Sequence, residues 1–168
     1  MRAQQRQYHH IATDLWDVNA IENTNVLLSD RFQPKVDEIL KEVNSHTKIL
    51  FLCSPNNPSG NSFSVDKVET LLKEFKGLVV IDEAYIDFSD EKSWLARLGE
   101  FPNLVITQTL SKAYGLAGIR LGVCYASTEI ISILNKIKPP YNVNELTQQR
   151  ALARLNSIDE VTQEILEI

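Results

Sequence analysis

The chain has 168 residues, 43% of them hydrophobic and 23% charged, with a formal net charge of -5. That size fits one domain able to bury roughly 68–70% of its unfolded surface, and the composition excludes fibrous, disordered and low-complexity classes. The acidic balance argues against non-specific nucleic-acid binding, which needs a basic face, and no apolar run approaches the ~20 residues of a membrane-spanning helix.

The first twenty residues hold Arg2 and Arg6 but no apolar secretory core and no sustained periodicity. Residues 1–25 are therefore left unplaced, and the chain is expected in the cytoplasm. His9 and His10 are adjacent and would not share a face as ligands, and His46 stands alone, so no metal site is expected. From Pro34 onward, Val36, Ile39, Leu40 and Val43 are spaced as one face of a helix, with proline in its first turn. The run ILFLC at 49–53, bounded by the turn-forming SPNNPSG, has the pattern of a strand buried on both faces. A second helix is predicted over 64–76, capped by Ser64, favoured by Asp66 in its first turn and stopped by Gly77.

Residues 78–81, LVVI, read as another buried strand that runs straight into Asp82. A shorter helix is predicted around 91–98, and 104–107 supplies a third strand. This alternation implies parallel strands joined by right-handed crossovers. A fourth strand is predicted over 121–126, followed by a helix from Thr128 that Pro139 and Pro140 end. Two further helices begin at Asn144 and Ser157, the second with Ser157 and Glu160 as a capping box. Val161, Ile165 and Ile168 carry an apolar stripe to the last residue. Cys53 and Cys124 each lie in an apolar run and are read as reduced core thiols. The expected architecture is α/β, three layers (α/β/α) around a mostly parallel sheet.

Each of the three central strands ends in a polar cluster, and open α/β sheets bind ligands beyond the carboxyl ends of their strands. The third cluster, TLSKAYGLAGIRLG at 109–122, carries Lys112 among Gly115, Gly118 and Gly122. Lysine forms Schiff bases with carbonyl compounds, and glycine admits close backbone approach, so Lys112 is read as the holder of a cofactor aldehyde. Asp82, placed directly after LVVI, should be largely buried and in need of a cation. A protonated pyridine nitrogen would serve: an ion pair at about 4 Å with an effective dielectric near 20 is worth roughly 4 kcal/mol. The competing account of Asp82 is a cap on the following turn or a structural ion pair. Tyr85 could donate to a phenolate oxygen or be a core tyrosine, and Asn57 could do the same or simply form a turn. Ser111, Thr109 and Arg120 could clamp a phosphate, or be turn hydroxyls and a surface ion pair.

Together SPNNPSG, VVIDEAYIDF and TLSKAYGLAGIRLG resemble the fold-type-I pyridoxal-phosphate aminotransferases, and among them the histidinol-phosphate aminotransferases of histidine biosynthesis, over roughly 26–168. The resemblance implies pyridoxal 5'-phosphate as cofactor, Lys112 as Schiff-base lysine and proton shuttle, Asp82 on the pyridine nitrogen, and Asn57 and Tyr85 on the phenolate oxygen. It places Ser111 and Arg120, and more weakly Thr109, on the phosphate. It also implies transamination between an amino-alcohol phosphate and a 2-oxo acid, in a homodimer with PPYNVN at 139–144 near the interface. Residues 26–156 would be part of a large cofactor-binding domain, and 157–168 the start of a helix leading to a small domain.

Family members are about twice this long, and their upstream phosphate-binding glycine turn has no counterpart here, where the first glycine is Gly60. The arginine for the substrate carboxylate is likewise not matched, so the chain alone is expected to be a weak or inactive catalyst. The alternatives are another member of the superfamily, such as a threonine-phosphate decarboxylase or an aromatic aminotransferase, or a non-catalytic fragment. A nucleophilic hydrolase and a dinucleotide-binding dehydrogenase are disfavoured, because the sequence has neither G-x-S-x-G nor G-x-G-x-x-G after a strand.

Overall fold

The computed structural model describes residues 22–167, so His9, His10 and Ile168 lie outside the described residues. Helix α1, Val36–Glu42, follows the buried Pro34, and α2 spans Val65–Glu74. The two helices pack together, and Lys67 Nζ donates to the Pro34 carbonyl at 3.0 Å, fixing the start of α2 to the entry of α1. The strands are β1 Ile49–Cys53, β2 Leu78–Asp82, β3 Leu104–Thr109 and β4 Gly122–Ala126. They form one sheet in the order β1-β2-β3-β4, the first three parallel and β4 antiparallel to β3. The α/β class and the mostly parallel sheet follow from this pairing.

Strand periodicity sorts the side chains into two faces. Leu50, Leu52, Val79, Ile81, Leu104 and Ile106 point toward α1 and α2 and form the core with Val68, Leu71, Leu72 and Phe75. The opposite face differs from the sequence reading at β1. Ile49 and Phe51 are 47% and 48% exposed, because β1 is an edge strand and its outer face is left open among the described residues. An unbroken apolar run reports the composition of both faces but not whether each one is covered.

Gly77 is not a left-handed helix cap. Helix α2 stops at Phe75, which is extended, and a Cβ on Gly77 would lie 2.2 Å from the Lys48 carbonyl oxygen. Glycine there lets the turn into β2 cross closely against the entry to β1, where Leu78 N donates to the same carbonyl at 2.9 Å. The Ser64 side chain, at the N-cap of α2, accepts no cap bond.

The predicted helix at 91–98 is a 3₁₀ segment, Trp94–Glu100. Both of its ends are pinned: Trp94 N donates to Glu83 Oε1 at 2.7 Å, and the Trp94 ring meets Phe101 edge-on at 6.4 Å. Arg97 lies 5.2 Å from the centres of both rings and pairs with Glu69 and Glu100, so apolar and charged contacts lock the segment beneath β3.

Beyond β4 come α3 Thr128–Ile137, α4 Glu145–Leu155 and α5 Ile158–Leu166. Ser127 and Asn144 cap α3 and α4 by accepting from Ile130 N and Thr147 N. Ser157 precedes α5, but its hydroxyl makes no cap bond, so the expected capping box is not formed. Along the apolar stripe of α5, Val161 is 1% exposed and Ile165 is half-buried, while Ile168 lies outside the described residues. Cys124, expected in the core, is exposed on β4, whereas Cys53 is buried. No helix among the described residues is long and apolar enough to cross a membrane.

Candidate active site

The register aligns Cys53, Asp82, Thr107 and Cys124 in one row across the sheet, on the face away from α1 and α2. The loops after β1 and β2 leave from this row and the loop after β3 two residues beyond it, at Thr109, so the three polar clusters lie at one sheet end. The first loop is tied to itself: Asn56 N donates to the Asn61 carbonyl at 2.9 Å, and Gly60 N to the Asn56 carbonyl at 2.7 Å. The Ser54 hydroxyl accepts from Phe63 N at 2.8 Å. This leaves the Asn57 amide free to reach the second loop, where Nδ2 donates to the Tyr85 hydroxyl oxygen at 2.9 Å. Asn57 and Tyr85 are thereby brought together, as expected.

Asp82 ends β2. Its Oδ1 accepts from Ala84 N at 3.1 Å and from the Thr107 hydroxyl at 3.4 Å. The turn-cap account is thus half right, and it leaves Oδ2 without a hydrogen bond among the described residues. Burial pushes the Asp82 carboxyl above its ordinary range, while the two hydrogen bonds and the nearby Lys112 ammonium pull it back. Lys112 Nζ lies 5.2 Å from the centre of the Tyr85 ring. The amine, the carboxylate and the phenol therefore face one space.

The loop from Leu110 to Leu121 that presents Lys112 is closed by short backbone bonds. Gly115 N donates to the Lys112 carbonyl and Leu116 N to the Leu110 carbonyl, both at 2.9 Å. Gly115 has φ +66°, a conformation that favours glycine, whereas Gly118 has ordinary backbone and open surroundings. The Thr109 hydroxyl accepts from Ser111 N at 3.1 Å and donates to the Leu121 carbonyl at 3.4 Å, fastening the start of the loop to its end. Arg120 is exposed and left-handed (φ 55°, ψ 46°), which costs a non-glycine residue roughly 1–2 kcal/mol. Nη1 donates to the Ala117 carbonyl at 3.0 Å, and the residue borders a cleft of about 290 Å³ whose far wall is residues 142–144 and Thr147. Arg120 forms no hydrogen bond or ion pair with Lys112 or Asp82 among the described residues.

Two residues escaped the sequence reading. Thr107 holds Asp82 from the neighbouring strand, and only the register reveals it. Glu83, at 1% exposure, is more deeply buried than Asp82. It continues the core-facing row of Ile81 and accepts from Trp94 N, the Ser93 hydroxyl at 2.6 Å and Gln108 Nε2 at 2.9 Å. The signal was present in the alternation of β2, which turns Asp82 and Glu83 to opposite faces.

A family model described as aminotransferase class I and II matches residues 7–168. The chain belongs to that family. Its lysine-bearing loop, aspartate and tyrosine are thus set within a class I and II aminotransferase framework. A curated histidinol-phosphate aminotransferase of Flavobacterium johnsoniae is 68% identical over 154 residues, covering 92% of this chain and 44% of that protein. The chain thus spans less than half the length of this curated relative. Among solved structures, the histidinol-phosphate aminotransferase of Sinorhizobium meliloti in complex with pyridoxal-5'-phosphate is 26% identical, with a TM-score of 0.76 over 85% of this chain and 40% of that one. The enzyme of the same name from Clostridium acetobutylicum, at 21% identity, shares the fold with a TM-score of 0.82 over 96% of this chain and 49% of that one.

Proposed function

We propose that the chain forms the cofactor-binding part of a pyridoxal-phosphate-dependent aminotransferase that moves an amino group between histidinol phosphate and 2-oxoglutarate. The observation that carries this reading is the convergence of Lys112, Asp82 and Tyr85 at the end of the sheet. The curated relative adds the substrate class, by its name and its 68% identity.

The residues fit the group. Asp82 keeps a half-buried carboxylate oxygen without a partner among the described residues, suited to a ring N–H. The Tyr85 hydroxyl accepts from Asn57 and so has its own proton to donate to a phenolate oxygen. The Ser111 hydroxyl and most of the Arg120 guanidinium remain available for a phosphate, while the Thr109 hydroxyl is already engaged and shapes the loop instead. When bound, the cofactor supplies an aldehyde that captures amines and a protonated ring that withdraws electrons from the substrate Cα.

The chain's own side chains then divide the work. Lys112 Nζ, on an exposed side chain, would hold the cofactor through its aldehyde, and its amine would serve as general base and acid for the proton at the substrate Cα. The Asp82 carboxylate would hold the ring proton in place, and Tyr85 with Asn57 would orient the ring. Leu110 and Leu116, both buried, keep the backbone on either side of Lys112 from drifting; a misplacement of ~1 Å can cost on the order of 100-fold in rate.

The same reading makes the protein a cytoplasmic homodimer. Two free thiols support a reducing compartment, and the exposed Ile137, Tyr141 and Leu146 flanking 139–144 support a second copy. The test of the active site is direct: mix the purified chain with pyridoxal phosphate, reduce with borohydride, and map the modified residue by mass spectrometry. Label concentrated on Lys112 is expected. Label absent, or spread over surface lysines, would overturn the assignment.

A further inference from the structure

The lysine loop is a long excursion between β3 and β4, closed at its base by the Leu110 N to Leu121 carbonyl bond and within by the bonds of Gly115 N, Leu116 N and Ile119 N to the Lys112, Leu110 and Leu116 carbonyls. From outside, α4 buttresses it with one face. Thr147, Ala151 and Arg154 fall at helical spacing on that face. The Thr147 hydroxyl donates to the Ile119 carbonyl at 3.4 Å, and Ala151 packs with Leu110 and Leu116. Arg154 Nε donates to the Tyr114 carbonyl at 3.1 Å, two residues from Lys112. The Arg154 side chain is only 14% exposed, and behind it stand two carboxylates of α5: Glu164, in a close charge-assisted hydrogen bond, and Glu160 at 3.8 Å.

We propose that Arg154 is a positioning residue for Lys112: α5 aims its guanidinium, and the guanidinium holds the Tyr114 carbonyl and with it the backbone that carries the lysine. The proposal rests on the assignment of Lys112 made above. Nothing else among the described residues bonds the Tyr114 carbonyl. A guanidinium left without carboxylates could swing out to water, since its only other partner among the described residues is that single carbonyl. The two acids make the loop-facing orientation the satisfied one. Glu160 and Glu164 are 72% and 56% exposed, so their hold is screened by salt, and α5 adds stiffness to the loop mainly at low ionic strength. Val161, buried between the two acids in sequence, keeps α5 seated while they reach Arg154.

The test uses hydrogen exchange by mass spectrometry on the full chain without cofactor, followed by borohydride trapping with pyridoxal phosphate. Arg154→Met should speed exchange at Gly115 and Leu116 about tenfold, the worth of one hydrogen bond to a charged group, while peptides of β1 to β3 stay protected. Glu164→Gln should act in the same direction. The double variant should exchange no faster than Arg154→Met alone, because the two residues act in one chain of contacts. In trapping, Arg154→Met should lower the fraction of label on Lys112 several-fold, and Arg154→Lys, which keeps a charged donor, should restore part of it. Unchanged loop exchange in either variant with an intact sheet, or strictly additive effects, overturns the proposal. If Arg154→Met loosens the whole sheet, the exposed Glu164→Gln variant decides by the same exchange criterion. Wild-type label away from Lys112 would instead break the functional reading and leave the exchange result standing.

Discussion

Asp82 is held in a state that suits a ligand more than it suits the chain alone. Burial raises its carboxyl above the ordinary range, and the nearby ammonium only partly offsets this. The sign follows from linkage: a carboxyl with a raised folded pKa binds its proton more readily in the folded state. Stability is then lost as pH rises from the unfolded carboxylate range through the folded pKa, so the ionised group costs stability at neutral pH. Asp82→Asn removes the charge and keeps an oxygen for Ala84 N and the Thr107 hydroxyl. The melting temperature of the cofactor-free variant at pH 7 should therefore rise above that of the wild type. The gain should vanish as pH falls below the carboxylate range, and affinity for pyridoxal phosphate in a spectroscopic titration should fall. A variant that melts lower than wild type at pH 7 would show that the carboxylate is a structural asset. At this scale Asp82, Tyr85, Asn57 and Lys112 were legible because chemistry follows residue type and strand end. Glu83 was not, because two adjacent acids look alike until the pleat assigns them to opposite faces.

Among elements, the join between β2, β3 and the 3₁₀ segment depends on that second acid. Glu83 satisfies Trp94 N, Ser93 and Gln108 with no cation in contact among the described residues, gathering three pieces of chain at one buried point. Truncation by Glu83→Ala would leave the Trp94 N–H buried without an acceptor, at about 1–3 kcal/mol, and would add the weakening of the half-buried Gln108 amide, left with only the Ser93 hydroxyl at 3.4 Å. Urea unfolding should therefore show a loss of roughly 3 kcal/mol. Glu83→Gln, which keeps one acceptor oxygen, should lose less than half as much. Equal losses for the two variants would place the energy in packing volume instead of hydrogen bonds. The same junction explains why a helix was expected at 91–98 and a 3₁₀ segment found. Trp94, Leu95 and Leu98 have helical spacing, but Glu83 and Phe101 fix the ends of the segment. Likewise the Ser157–Glu160 pattern specifies a capping box that the hydroxyl does not make. Periodicity located the elements well, and contacts distant in sequence decided their winding and caps.

For the whole molecule, the unsatisfied surface is apolar and divided. One part is the outer side of β1, with Ile49 and Phe51; a second is Ile133, Ile137, Tyr141 and Leu146 along α3, its exit and the start of α4; and Leu152 and Leu166 are exposed further along α4 and α5. Ile137, Tyr141 and Leu146 are 72%, 95% and 77% exposed, higher than Phe51 at 48%, and 142–144, between Tyr141 and Leu146, also wall the cleft beside Arg120. A second copy seated on that surface would bury the larger apolar area and close the cleft at the same time, whereas pairing through β1 would do neither. Sedimentation equilibrium should accordingly find a dimer for the wild-type chain. Leu146→Glu combined with Ile137→Glu should shift it to monomer by raising the dissociation constant at least 100-fold, since burying two unpaired carboxylates costs several kcal/mol. The melting temperature of the monomeric form should hardly change, because both side chains are exposed. Phe51→Glu should leave the dimer intact. A wild-type monomer, or a dimer broken by Phe51→Glu and indifferent to the double variant, would refute this surface.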